Sequence, residues 1–396
     1  MIELFTKLAS AITRNEGKKF LKLHSSIDDR VLEQPSRQII PDTSLYIHIP
    51  FCRTLCPFCC FNRYLFKEEG TRQYFASLKR ELSFYIDKGF QFSDFYFGGG
   101  TPTILMDELL SFTDFLYKNF TVKRISLETT PGEITDTNIR LLQQAGVNRL
   151  SIGVQSFDNS VVKAMGRVQC SGEEAIEKVL MAQGKFDTLN IDFVFNLPFQ
   201  TTEQLHKDIA IFKQAHIDQA TFYPLMASPH KKDAMERKFN SVDTSREKAF
   251  YEIILSELYD AGYLASTAWC FSRQQKLIDE YIIDFDDYIG IGSGSVSIYK
   301  GNFFVNTFSL EKYSALIQSG NLPIAGWRQL SRREQIYYYL LTKLFGITFD
   351  KTKFSGRFNH TIEEKLGMEL LAMRLLKIIK GEEKIRVTRR GMYSIS

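Results

Sequence analysis

Residues 44–61 read Ser44-Leu-Tyr-Ile-His-Ile-Pro-Phe-Cys52-Arg-Thr-Leu-Cys56-Pro-Phe-Cys59-Cys60-Phe61. The opening six residues are rich in aromatic and β-branched types and stop at Pro50, which predicts a strand over 44–49. Cys52, Cys56 and Cys59 follow on the loop beyond it. Three close thiolates suit an iron–sulfur cluster, in which each binds one iron and the remaining iron stays open for chemistry. A structural zinc site is the alternative, and it needs Cys60 or His48 to close its tetrahedron. Free thiols are the third reading. Cys59 and Cys60 are adjacent, so their side chains point in different directions and do not suit one small cluster together.

Outward from this run, short apolar segments alternate with amphipathic ones. Strands are expected at Ser44–Ile49, Asp94–Phe97, Arg124–Glu128, Arg149–Val154, Thr188–Phe195 and Gln219–Leu225. Helices are expected between them, at Thr71–Ile86, Met106–Phe120, Ile134–Ala145, Gly172–Gln183 and Thr202–Ala215. That order implies an α/β fold with a parallel sheet, either doubly wound or an incomplete barrel. Periodicity does not separate the two. In both, chemistry belongs beyond the C-terminal strand ends. The alternation breaks after about residue 230. Ser245–Ala261, Glu334–Phe345 and Ile362–Ile379 read as helices, Gly290–Ser297 as a Gly/Ser-rich turn region, and Lys384–Ser396 as a β-ribbon around Gly391. The expected division is a helical arm over 1–40, a partial barrel over 41–235 and a smaller covering domain over 236–396. Within the arm, Leu4, Leu8 and Ile12 share one helical face.

The chain of 396 residues has a net charge of only +4, without the concentrated basic face that nucleic acid requires. Lys377–Arg390 is locally basic but is broken by Glu382 and Glu383, and reads as a solvated face. Phe (33) and Tyr (18) are abundant, which suits a Phe-rich core or an apolar substrate cavity. No secretory signal or membrane span is read from the sequence, so a cytoplasmic location is expected, where cysteines serve as metal ligands or free thiols.

Gly98-Gly-Gly-Thr-Pro-Thr103 follows the second expected strand. Its glycines let backbone approach a ligand, but it has neither the Lys of a phosphate loop nor a dinucleotide spacing. Glu128, Gln155, Arg167 and Asp192 are polar residues on or just after otherwise apolar strands. Each has a structural reading as part of an ion pair. Converging at one sheet edge, they match a cofactor carrying an ammonium, a carboxylate, a sulfonium and a ribose diol.

Together these motifs resemble the radical S-adenosylmethionine superfamily. The narrower likeness is to the branch of oxygen-independent coproporphyrinogen III oxidase, the related haem chaperone and the anaerobic haem-degrading methyltransferases. The stretches that carry it are 44–61, Tyr96–Thr103, Gly146–Phe157, Ile191–Pro198, Gly290–Ser295 and Arg386–Gly391. The resemblance implies a partial (β/α)6 barrel with a smaller C-terminal α+β domain. It implies a 4Fe-4S cluster on Cys52, Cys56 and Cys59. S-adenosylmethionine would lie against Tyr46, Phe58, Gly99, Gly100, Thr101, Glu128, Gln155, Arg167 and Asp192, with room in this branch for a second molecule or for haem. Tyr46 and Cys60 are the catalytic candidates. The implied substrate is tetrapyrrole-like, and a flavodoxin or ferredoxin would supply electrons. Two reactions, methyl transfer and oxidative decarboxylation, stand beside a non-enzymatic haem chaperone whose axial ligand would be a histidine or one of Cys60, Cys170 and Cys270. The decarboxylating members carry a fourth cysteine where this chain has Phe61, with Cys60 one place earlier. The region Ser266–Gln275, with Trp269 and Arg273, has no close match in the branch.

Overall fold

The computed structural model describes residues 23–24, 43–167, 169–226, 243–274 and 281–396. The expected helical face of Leu4, Leu8 and Ile12 lies outside them, as does His230.

The strands in chain order begin with β1 (Ser44–Ile49), β2 (Phe51–Cys52), β3 (Tyr64–Leu65) and β4 (Asp94–Gly99). They continue with β5 (Arg124–Thr129), β6 (Arg149–Gln155), β7 (Thr188–Phe195) and β8 (Gln219–Pro224). Helices Glu68–Asp87, Met106–Asn119, Asp136–Gln144, Gly172–Ala182 and Thr202–Gln214 connect the sheet strands. Local chemistry sets their starts. Ser171 and Thr201 each accept the backbone N–H three residues on, while Glu174 and Gln204 reach back to the cap.

Among the described residues one sheet of 12 strands contains β1-β4-β5-β6-β7-β8 in that spatial order, all parallel. Every new strand joins on the same side of its predecessor. A doubly wound sheet reverses direction after its first half. Winding in one sense is the barrel pattern, and it settles the choice that periodicity left open.

The sheet then grows at both ends. On the β8 side lie β10 (Cys270–Ser272) and β9 (Leu264–Ala265), both antiparallel. On the β1 side β11 (Tyr288–Ile291) pairs parallel with β1, and β12 (Val296–Tyr299), β13 (Asn302–Asn306) and β14 (Ile324–Gln329) follow antiparallel. A separate small core holds Ile336, Tyr339, Phe349, Phe354, Leu366 and Ile385. It covers the three-stranded sheet β15 (Thr348–Asp350), β16 (Ile379–Lys380) and β17 (Lys384–Val387).

Three local expectations need correction. Gly290–Ser297 is not a turn throughout: β11 runs to Ile291 and β12 begins at Val296, because only 292–295 carry the turn glycines. The helix from Ile362 ends at Leu375, and Ile379 is already in β16. The ribbon around Gly391 is absent from the described residues. Past β17 the chain turns into a 3-10 helix at Arg389–Gly391 and a short helix at Met392–Ile395. A side chain at Gly391 would lie 2.2 Å from the Ile378 carbonyl oxygen, so the glycine serves close packing and not a hairpin turn.

Barrel strands show a division of faces. Leu45, Ile47 and Ile49 of β1, Phe95 and Phe97 of β4, Ile125 and Leu127 of β5, and Ile191 and Phe193 of β7 join the main core under the helices. Most alternate positions are polar, among them Tyr46, Tyr96, Glu128, Ser151, Asp192 and Tyr223, while Val194 adds an apolar one. This is the two-residue period of a strand, with one face apolar and one reserved for the interior. No described helix is long and apolar enough to cross a membrane.

Candidate functional site

Inward-facing side chains and the loops at the C-terminal strand ends enclose a cavity of about 730 Å³. Its lining includes Cys52, Cys56, Cys59 and Cys60, and also Tyr46, Phe58, Gly99, Gly100 and Thr101. Glu128, Gln155, Arg167 and Asp192 line it too. The sequence-derived residues thus come from β1, β4, β5, β6 and β7 and the loops after them, and all meet in one place. The described histidines do not line it.

β1 delivers Tyr46 and, through β2, Cys52. Tyr46 and His48 are the polar members of β1, and their side chains are linked. His48 Nε2 lies 3.0 Å from the Asn62 carbonyl oxygen, which can only accept, so the proton sits on Nε2. His48 Nδ1 then accepts from the Tyr46 hydroxyl at 2.9 Å. Burial lowers the His48 pKa to about 4, so the ring is neutral. Both nitrogens are committed, and His48 is therefore neither a zinc ligand nor an axial ligand.

The Gly98–Thr101 segment closes tightly over the cysteine loop. Gly100 N donates to Ile49 O and Thr101 N to Phe51 O, both at 2.8 Å. The Thr101 hydroxyl lies 3.8 Å from Cys52 Sγ. Glu128 accepts from the Tyr96 hydroxyl at 2.9 Å and from Gly99 N at 3.1 Å. Asp192 accepts from Ser151 Oγ at 2.9 Å and from Asn190 Nδ2 at 2.8 Å. Arg167 donates to Gly153 O. Gln155 sits at φ 76°, a left-handed conformation costly for a residue with a side chain. The turn behind it is held by Asp208 of the helix Thr202–Gln214, whose carboxylate takes Ser156 Oγ and Phe157 N, each at 2.7 Å. Phe58 makes apolar contacts across the cavity mouth, packing with Val161, Val194, Leu197 and Leu225. It thus links the loop after β1 to the far end of the barrel.

Burial pushes the Cys52 and Cys59 thiols above their usual range, and Arg63 opposes that shift at both. Arg63 caps the cysteine loop through the carbonyls of Cys56 and Cys59. Its Nε is buried with no hydrogen-bond partner. A cation with a spare N–H beside three thiols fits an anionic iron–sulfur group. Among the described residues the thiols are not already gathered, with any His, Asp or Glu, into a ready-made metal site.

Several contributors escaped sequence reading. Tyr96, Ser151, Asn190 and Tyr223 share the strand alternation of Glu128 and Asp192 and could have been found by it. Arg63 and Asp208 carry no such local signal, and Trp269 stands in the stretch Ser266–Gln275 for which the sequence gives no role. The other described histidines lie elsewhere: His24 pairs with Trp327, His206 with Glu257, His216 with Arg273 and His360 with Glu364. Cys170 lines the cavity and Cys270 is buried in β10.

Comparison with known proteins agrees with this geometry. Residues 46–210 match the family model described as the Radical SAM superfamily. Heme chaperone HemW of Bacillus subtilis is 26% identical over 336 residues, covering 81% of this chain and 88% of the relative. Oxygen-independent coproporphyrinogen III oxidase of Helicobacter pylori is 28% identical over 358 residues, covering 83% of this chain and 77% of the relative. Among solved structures, coproporphyrinogen III oxidase (HemN) from Escherichia coli superposes with a TM-score of 0.80 at 22% identity, covering 95% of this chain and 94% of that one. Fold, cysteine loop and relatives converge: residues 46–210 match the radical SAM superfamily, and the chain as a whole is similar to the HemW haem chaperones and the oxygen-independent coproporphyrinogen III oxidases.

Proposed function

We propose that this chain is a radical SAM enzyme acting on a tetrapyrrole-like substrate. The observation that carries the reading is the convergence of the cysteine loop, the Gly98–Thr101 segment, Glu128, Gln155, Arg167 and Asp192 on one cavity at the strand ends. Cys52, Cys56 and Cys59 hold the 4Fe-4S cluster, and Arg63 offsets its negative charge. When bound, the cluster supplies the electron for reductive cleavage of S-adenosylmethionine, with a flavodoxin or ferredoxin as donor. Glu128 and Asp192 are the carboxylates of the cavity that suit the cofactor's ammonium and ribose diol. Arg167 faces its carboxylate, and Gly99–Thr101 give it a close backbone edge. Tyr46 spends its proton on His48, so it acts by position. Cys60 is exposed at the rim and is the catalytic candidate on the substrate side.

Anaerobic reconstitution with iron and sulfide, then dithionite and S-adenosylmethionine, tests this. The expected product is 5′-deoxyadenosine in proportion to iron. S-adenosylhomocysteine formed alongside it assigns methyl transfer, and its absence with loss of substrate carboxylate assigns decarboxylation. A protein that loads iron but cleaves no cofactor, with or without a porphyrin present, defeats the enzymatic reading.

A haem chaperone is the second reading, favoured by the HemW relatives and by Phe61 standing where the decarboxylating members carry a cysteine. In that case the cavity offers Cys60 or Cys170 as axial ligand. A Soret band on haem addition, without porphyrin turnover, supports it.

A further inference from the structure

We propose that Trp269, with Tyr223 beside it, is the platform on which the flat face of the substrate stacks, making Trp269 a specificity-determining residue. The inference rests on the tetrapyrrole reading of the cavity. Both rings line the cavity at the end opposite the cysteine loop in strand order. They meet edge to face, with centroids 5.6 Å apart and planes at 69°.

Trp269 is fixed before any ligand arrives. Its backbone N donates to Thr267 Oγ1 at 3.2 Å, and its carbonyl accepts from Phe222 N at 2.8 Å. From behind, Phe345 presses its ring edge on the indole at 4.9 Å and 88°, and the Phe345 carbonyl accepts from Ala268 N at 2.8 Å. The indole is therefore held by the last residue of the helix Arg332–Phe345 and by Tyr223, and still lines the cavity. A rigid aromatic braced by its neighbours at the cavity wall is suited to a planar conjugated ligand, because little side-chain freedom is lost on binding. The arginines of this cavity are engaged away from Trp269. Arg53 pairs with Glu133 at 2.7 Å, Arg63 caps the cysteine loop and Arg167 holds Gly153. Leu225 and Met226 continue the apolar surface past Tyr223. This end of the cavity thus offers its ligand a ring face, with the Trp269 Nε1–H, buried and without a hydrogen-bond partner among the described residues, as the polar group on the same side chain.

The test is a titration of metal-free protoporphyrin IX, which has no metal for an axial ligand to grip, into the reconstituted protein. Wild type is compared with W269F and W269L by fluorescence anisotropy, with iron content and far-ultraviolet circular dichroism as folding controls. W269L is expected to bind about 10-fold more weakly and W269F within a few-fold of wild type, since Phe keeps an aromatic face. Y223L, which leaves the indole in place, checks the same wall should W269L misfold, and is expected to weaken binding in the same direction. Equal affinity in wild type, W269L and Y223L overturns the platform alone. Failure of the wild-type protein to bind any porphyrin while it still cleaves S-adenosylmethionine overturns the tetrapyrrole reading, and the platform with it.

Discussion

Gly100 has no room for a methyl group: a Cβ there would lie 2.6 Å from Phe51 O and 2.8 Å from Phe51 N, both backbone atoms that cannot swing aside. G100A should therefore push the Gly98–Thr101 segment off the cysteine loop, at a cost of about 1–3 kcal/mol. Chemical denaturation and iron content should fall together, and a G100A protein of wild-type stability and loading would show that the contact is not tight. Ligand assignment is tested at the same scale. Cys56 lies on an exposed-to-intermediate loop outside the core, so C56A should keep the fold and lose iron. C60A should keep both the iron and its visible spectrum. Loss of iron in C60A with retention in C56A would reverse the ligand set.

The turn after β6 depends on a partner outside its own segment. Gln155 is held in a left-handed conformation, and the next two residues give their side-chain and backbone donors to Asp208. Asp208 comes from a helix beginning nearly fifty residues later, at Thr202. D208A would leave the Ser156 hydroxyl and the Phe157 N–H buried without an acceptor, a loss of about 2 kcal/mol in denaturant midpoint terms. D208N keeps one oxygen and should lose less. If the two variants unfold alike and like wild type, the turn is held by something else. The cofactor side of this argument is that a slack turn no longer presents Gln155 to the cavity.

At the scale of the molecule, Glu81 joins the two ends of the chain. It is fully buried on the helix Glu68–Asp87 and accepts from Gly292 N, Asn306 Nδ2 and the Tyr313 hydroxyl, at 2.8, 2.7 and 2.5 Å. Those partners lie more than 200 residues away. Ser293 N then donates to Tyr74, and Asn62, just past the cysteines, donates to Ser293. The region after β11 is thereby fastened to the cysteine loop. Burial raises the Glu81 pKa from 4.5 to about 7, against the pull of its three donors. A folded-state pKa above the unfolded one means that folding takes up a proton. This share of stability is complete below the unfolded value and is lost as pH rises through the folded value. Asp208, also pushed up to about 7 by burial, acts with the same sign in the same window. The gap in melting temperature between wild type and E81Q should narrow between about pH 5 and pH 8. A gap that stays constant across this window would mean that Glu81 is ionised throughout and held by its donors.

The sequence by itself determined what depends on neighbours in the chain. The spacing of Cys52, Cys56 and Cys59, the six parallel strands and the alternation that sends Tyr46, Glu128 and Asp192 to one face are all local patterns, set by a period of two and by loop length. Tertiary structure decided the rest. Winding in a single sense, the His48–Asn62 contact that removes His48 as a ligand, the Glu81 network and the bracing of Trp269 by Phe345 all join residues far apart in sequence. Such contacts follow from which surfaces can be buried together and leave no periodic trace in the chain. The helix at Met392–Ile395, read as ribbon from its flanking residues, marks that boundary. Gly391 is there because the Ile378 carbonyl leaves no space for a side chain, and no local pattern reports the presence of that carbonyl.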